Sequence, residues 1–180
     1  SIAAFERYQS EAAWVWEHQA LTRARFCAGD AAIGARFEAI REQVLRKDRS
    51  DQAAVLKNEV VQMRARMHDA NLNRSTQFDL KQDAGGMIDI EFIVQYLVLR
   101  HAHAYPQLTA NAGNIALLRV CGELGLIDAG QAAAVADAYR AMRRLQHAVR
   151  LQGQDKTRVD TALVGHHPDS VLGLWQACFP

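Results

Sequence analysis

The segment KQDAGGMIDIEF, residues 81–92, gathers residue types that handle phosphates and metals: a lysine, a glycine pair, and two acids, Asp89 and Glu91. Glycines adopt positive φ and can turn successive amide N–H groups toward a phosphate. The full phosphate-loop pattern is absent, so a tight turn is the competing reading. Two carboxylates could also ligate a metal. In a helix, however, two positions are about 200° of rotation, so Asp89 and Glu91 could face one ion only if the segment were extended. A metal site made of this pair alone is disfavoured. Two readings stay open: Asp89 is hydrated at a helix N-terminus and Glu91 pairs with an internal arginine, or both acids stand beside a nucleotide or metal.

The surroundings sharpen the expectation for Glu91. Ile88 to Leu99 is apolar nearly all round, as in a central helix packed on several sides. Glu91 and Gln95 are four residues apart and share one face of it. A carboxylate there needs a partner, because burying it alone is costly. Glu91 is therefore expected to be tied to a buried arginine or lysine or aimed into a cleft, and to matter more than Asp89.

Other clusters are weaker. Trp14 and Trp16 cannot share a helix face, so one is expected in the core and the other at a rim or interface. His101 and His103 oppose each other on a helix, and His166 and His167 precede a proline; neither pair has metal-ligand spacing with a third acid or thiol, and both read as solvated. Arg140, Arg143, Arg144 and Arg150, with His147, give one helix a basic side facing phosphates or water.

The elements that must position these residues are helical. Phe5, Tyr8, Ala12, Val15, Trp16, Ala20 and Ala24 predict one helix from about Ala3 to about Phe26, broken by Ala28-Gly29-Asp30. Asp30 caps a second, carrying Ile33, Phe37, Ile40, Val44 and Leu45. Ser50 or Asp51 caps a third, carrying Val55, Leu56, Val60, Met63 and Met67. Periodicity lapses from Asn73 to Ala84, an extended or irregular segment closed by Gly85-Gly86. Helices then run from Met87 to Ala104, from Asn114 to Leu124 with Gly125 ending it, and from Asp128, with Gln131 three residues on, to Leu151. A mixed tail containing Pro168 leads to a short helix from Ser170 to Cys178. No stretch alternates with period two, so the class is all-α: an up-and-down helical bundle with additional short helices.

Composition narrows the role. At 180 residues the chain fits a single helical domain, 1–180, able to bury roughly 70% of its unfolded surface. With 21 basic and 20 acidic residues the net charge is +1, so no broad field draws nucleic acid or anionic lipid. A free-standing nucleic-acid binder is disfavoured further by the lack of aromatics interleaved with a basic stripe. The three cysteines, Cys27, Cys121 and Cys178, form neither a disulfide framework nor a zinc knuckle, which suits a reducing cytoplasm. Ile90 to Leu99 is too short for a membrane span, and no signal peptide opens the chain. The chain starts within an amphipathic pattern, as a piece of something larger would, and WQACFP has the look of a natural terminus.

WEHQALTRAR at residues 16–25, AGD at 28–30, FDLKQDAGGMIDIEFIVQYLVL at 78–99 and NIALLRVCGELGLI at 114–127 resemble the bacterial glutamine synthetase adenylyltransferases, bifunctional adenylyl-transferring and adenylyl-removing enzymes. The resemblance implies two nucleotidyltransferase halves, each a catalytic core followed by a helical bundle. Gly-Gly-x-x-Asp-Ile-Glu-Phe at Gly85 to Phe92 is similar to the transferase half rather than the removing half. The family's G-S-x-x-D-x-D signature is absent here, which implies that the catalytic core lies outside this chain and that the chain alone is inactive and holds no cofactor. The parent enzyme's ATP, Mg²⁺, glutamine synthetase and PII signal protein, and this bundle's own nucleotidyltransferase core as a partner, are implied likewise. So is a nucleotide-side or supporting role for Lys81, Gly85, Gly86, Asp89 and Glu91, joined by Trp16, Glu17 and Arg25. The alternative is a purely regulatory module that binds PII or glutamine synthetase without touching nucleotide.

Overall fold

Local capping chemistry places most helix boundaries. In the computed structural model, which describes residues 1–110 and 112–180, Asp30 accepts the N–H groups of Ala32 and Ile33 and opens α3 (Ala31–Leu45). Asp128 accepts the Gln131 N–H and opens α7 (Ala129–Leu151). α6 (Asn114–Glu123) ends at Gly125, whose φ is 68°, with the Leu126 N–H returning to the Cys121 carbonyl, the expected glycine-terminated end. The all-α reading holds, and the lapse in periodicity contains only turns and the two-residue strand β1 (Phe78–Asp79). That strand pairs antiparallel with β2 (Arg158–Val159), Asp79 opposite Arg158.

Three boundaries differ from expectation. The long first helix is two: α1 (Ile2–Glu11) and α2 (Val15–Leu21). The break arises because Glu17 turns back to accept the Trp14 N–H at 2.9 Å, starting a new helix where periodicity alone continues the old one. α4 (Ala53–Ala70) starts beyond both proposed caps; the Ser50 hydroxyl and N–H donate to Asp48 instead. α9 (His167–Cys178) starts before Ser170, because Pro168 fits the first turn of a helix rather than ending the tail. The remaining elements are α5 (Met87–His101), α8 (Thr161–Val164) and a 3₁₀ turn (Pro106–Thr109).

The chain falls into two compact units. The first, Ser1–Val60 with Gln95–Gly113, packs α1 and α2 on α3 over a core that includes Leu45, Leu56 and Leu99. The second, Val61–Val94 with Asn114–Pro180, packs α6 and α9 on α7 around Leu118, Met142 and Leu174. The stretch of α5 in the second unit is buried from Met87 to Val94 except at Glu91, as its apolar circumference requires. Each fully buried aliphatic side chain there contributes about 1.5–3 kcal/mol. Ile33 and Val55, read as core from periodicity, are exposed.

Candidate functional site

The glycine pair builds a tight turn. Gly85 has φ 80°, and a Cβ on it would lie 2.7 Å from the Pro168 carbonyl oxygen; one on Gly86 would lie 2.8 Å from that of Asp83. Both positions require glycine for space, and Gly85 for conformation as well. The amides are committed inward. Gly85 donates to Asp89 Oδ2 at 2.6 Å, Gly86 to the Asp83 carbonyl at 2.9 Å, Met87 to that of Leu80 at 2.9 Å and Ile88 to that of Lys81 at 3.3 Å. No cluster of outward N–H groups remains to cradle a phosphate.

Asp89 does not take the hydrated place expected of it. Asp89 is 4% exposed rather than hydrated, and it pairs with the buried Arg64 of α4 through the arginine Nε. Arg64 also donates to the Gln82 carbonyl at 2.9 Å. Arg64 and Asp89 therefore clamp the turn from both sides: one holds its carbonyls, the other its Gly85 amide. Glu91, expected on a buried cation or aimed into a cleft, is half-buried and accepts the Tyr139 hydroxyl of α7 at 3.1 Å.

Immediately before the glycines, a mesh of short-range bonds fixes Lys81. Asp79 Oδ1 accepts the N–H groups of Lys81 and Gln82, each at 3.0 Å. Asp83 Oδ2 accepts the Asp79 N–H and the Asn73 side-chain amide, each at 2.8 Å. The Leu80 N–H continues the strand pairing to the Thr157 carbonyl. Lys81 is left exposed on the rim of an open cleft of about 440 Å³, whose lining includes Asp79, Arg150, Asp155, Lys156 and Arg158. Sequence reasoning missed Arg64, Asp79, Lys156 and Arg158. Only Arg150 carried a signal, as a member of the basic side of α7.

The other predicted residues lie in the first unit. Glu17, besides capping α2, accepts the Tyr8 hydroxyl at 2.7 Å. The Trp14 amide and then the Tyr8 hydroxyl hold its carboxyl below the usual range. Trp16 and Arg25 are exposed. Neither tryptophan is core: Trp14 is 65% and Trp16 47% exposed, because the α1–α2 break turns this stretch outward. The rest of the WEHQALTRAR motif is held by two buried arginines. Arg41 donates to the carbonyls of Leu21 at 2.8 Å and Thr22 and Thr109 at 3.0 Å, satisfying the end of α2. Arg49 donates to the Val44 and Lys47 carbonyls at the end of α3 and approaches His18 Nδ1 at 3.4 Å, while His18 Nε2 lies 3.0 Å from the Gln9 carbonyl. Burial, with Arg49 and Lys47 adding and the Gln9 carbonyl opposing, lowers the His18 pKa from its ordinary value.

The family model described as GlnD PII-uridylyltransferase matches residues 38–160, more than half of the chain. The chain belongs to this family. The model described as glutamate-ammonia ligase adenylyltransferase matches residues 1–40. Curated relatives match nearly the whole chain, and each is a bifunctional glutamine synthetase adenylyltransferase/adenylyl-removing enzyme. The protein of Aromatoleum aromaticum is 62% identical over 180 residues, covering 99% of this chain and 19% of its own length. That of Ralstonia nicotianae is 58% identical over 98% of this chain and 19% of its own, and that of Bordetella bronchiseptica 53% over 98% and 18%. The likeness seen in the motifs thus extends across the sequence, and the chain spans about a fifth of the length of these relatives.

Chemically, the described residues offer cations and a rigid turn. No group of three His, Cys, Asp or Glu side chains among them could hold a metal ion, and no described helix is long and apolar enough to cross a membrane.

Proposed function

We propose that this chain is the helical portion of the adenylyl-transferring half of a cytoplasmic enzyme that moves AMP from ATP to a tyrosine of glutamine synthetase, its other half removing it, under control of PII signal protein. The observation that carries the reading is the 62% identity across the chain to a relative named for that pair of activities. Nucleotidyl transfer is an in-line displacement at phosphorus whose catalysis is mostly positioning and charge stabilisation. A magnesium ion in such a site is held through carboxylates. The described residues do not fit one, so in this reading the catalytic aspartates belong to the nucleotidyltransferase core elsewhere in the longer protein. What this segment supplies is a fixed edge: the Asp89–Arg64 clamp and Gly85-Gly86 turn hold Lys81 where its ammonium can meet phosphate oxygens. Glu91 and the first unit's Trp16, Glu17 and Arg25 have supporting places in this reading.

Transfer of labelled AMP to glutamine synthetase tests it. The full-length protein should label its substrate and lose rate on Lys81→Ala, while the purified 180-residue chain alone should label nothing. Labelling by the isolated chain, or an unchanged rate in Lys81→Ala, would refute the assignment. A second reading, a module that binds PII or glutamine synthetase without nucleotide, is favoured by the exposure of Tyr8, Trp14, Trp16, Phe26 and Ile33 in the first unit. Aromatic side chains of that kind are common anchors in protein interfaces.

A further inference from the structure

We propose that the cleft beside the β1–β2 pair binds a small anion of the phosphate class, free phosphate or a phosphate monoester, whichever reaction the longer protein performs. Its lining sets Lys81, Arg150, Lys156 and Arg158 against Asp79 and Asp155, four positive charges against two negative. That excess of two positive charges stands on a chain whose total is +1, so the cleft is a local focus rather than part of a basic surface.

Two of the cations are available and one of the acids is occupied. Asp79 spends Oδ1 on the Lys81 and Gln82 amides, and its Oδ2 faces Arg158 Nε at 3.5 Å. That contact holds one edge of the Arg158 guanidinium inward. Lys81 and Lys156 form no ion pair among the described residues, and both are exposed. The backbone beneath them is fixed by the strand pairing and by the Leu80 N–H to the Thr157 carbonyl at 3.0 Å, so the ordering on binding falls on the side chains alone. Arginine and lysine around a phosphate combine forked and point-charge donors. A cation is repelled by the net charge. A nucleic-acid strand is disfavoured because no aromatic side chain lines the cleft to stack a base.

The test is titration of inorganic phosphate, and separately of ribose 5-phosphate, into the 180-residue chain, followed by calorimetry and amide chemical shifts. One saturable site is expected, with Kd on the order of 1 mM or tighter, weakening as salt is added. Lys156→Ala and Lys81→Ala should each loosen it about tenfold, the loss of one charged contact. Arg7→Ala, an exposed cation of the first unit, should leave it unchanged. Tighter binding of ribose 5-phosphate supports a monoester as occupant, and equal binding supports free phosphate. Circular dichroism confirms that the variants fold. Absence of saturation for both probes up to about 10 mM, or an equal loss in Arg7→Ala, overturns the proposal.

Discussion

Neutralising Asp89 should be among the most damaging single-atom changes available in the second unit. Asp89→Asn keeps the size and one carbonyl oxygen but leaves the Arg64 guanidinium, 5% exposed, without its counter-charge. Removing one partner of a buried ion pair costs about 3–5 kcal/mol, because the other charge stays buried and unpaired. For a chain of this length each kcal/mol moves Tm by roughly 2–4 °C, so the melting transition should fall by roughly 6–20 °C. Calorimetric melts at neutral pH read this directly. Replacing both partners with apolar residues, Arg64→Met with Asp89→Leu, should recover more than half of the loss, since such swaps are often neutral. The unmet Gly85 amide remains as a deficit of about 1–3 kcal/mol. A Tm for Asp89→Asn within about 2 °C of the parent chain, about 1 kcal/mol or less, would refute the clamp as the element that holds the turn. Glu91→Gln retains an acceptor for Tyr139 at a half-buried position and should cost distinctly less, the reverse of the order that the apolar helix suggests.

Gly85→Ala should lower Tm by at least about 5 °C, since it combines a disfavoured positive φ with a clash on the Pro168 backbone; an unchanged melt would contradict the turn geometry. Lowering the pH from 7 to 5 should destabilise the first unit through His18. Above its unfolded pKa of about 6.5 both states are neutral and the ring contributes nothing; below it the unfolded chain takes up a proton that the native ring resists, so stability falls with pH. His18→Gln should flatten that slope, and an identical slope would remove His18 from the account. Burial, with Cys178 adding, pushes the Cys121 thiol up to about 12, so a thiol reagent at pH 7.5 should modify exposed Cys27 rapidly and Cys121 only on unfolding. Equal rates for the two would show that α6 opens readily.

What could be read from the sequence was what local chemistry decides. Asp30, Asp128 and Gly125 act within one turn of themselves, and each does as its residue type predicts. The split between α1 and α2 escaped because the apolar spacing carries on across it; the deciding contacts are Glu17 with the Trp14 amide and the Tyr8 hydroxyl. Asp89 was misjudged for a related reason. The helix pattern gives its direction on α5 but not that Arg64, on a different helix, waits beside it. The glycine pair had two readings, and only the hydrogen bonds of residues 85–88 decide for the turn. The cleft was invisible because nothing near Asp79 in the sequence announces Arg158 as its opposite number.

That pairing also has a time coordinate. β1 and β2 lie about eighty residues apart in the chain, so their junction closes a long loop and contributes a contact of high sequence separation. On a ribosome adding about 5–20 residues per second, Asp79 emerges roughly 4–16 s before Arg158. The bonds that Asp79 makes on its own side are local: in the folded chain its carboxylate bonds the Lys81 and Gln82 amides and its own N–H meets Asp83, all within four residues. The early half of the cleft is thus a self-contained knot whose own bonds do not depend on the strand that arrives later.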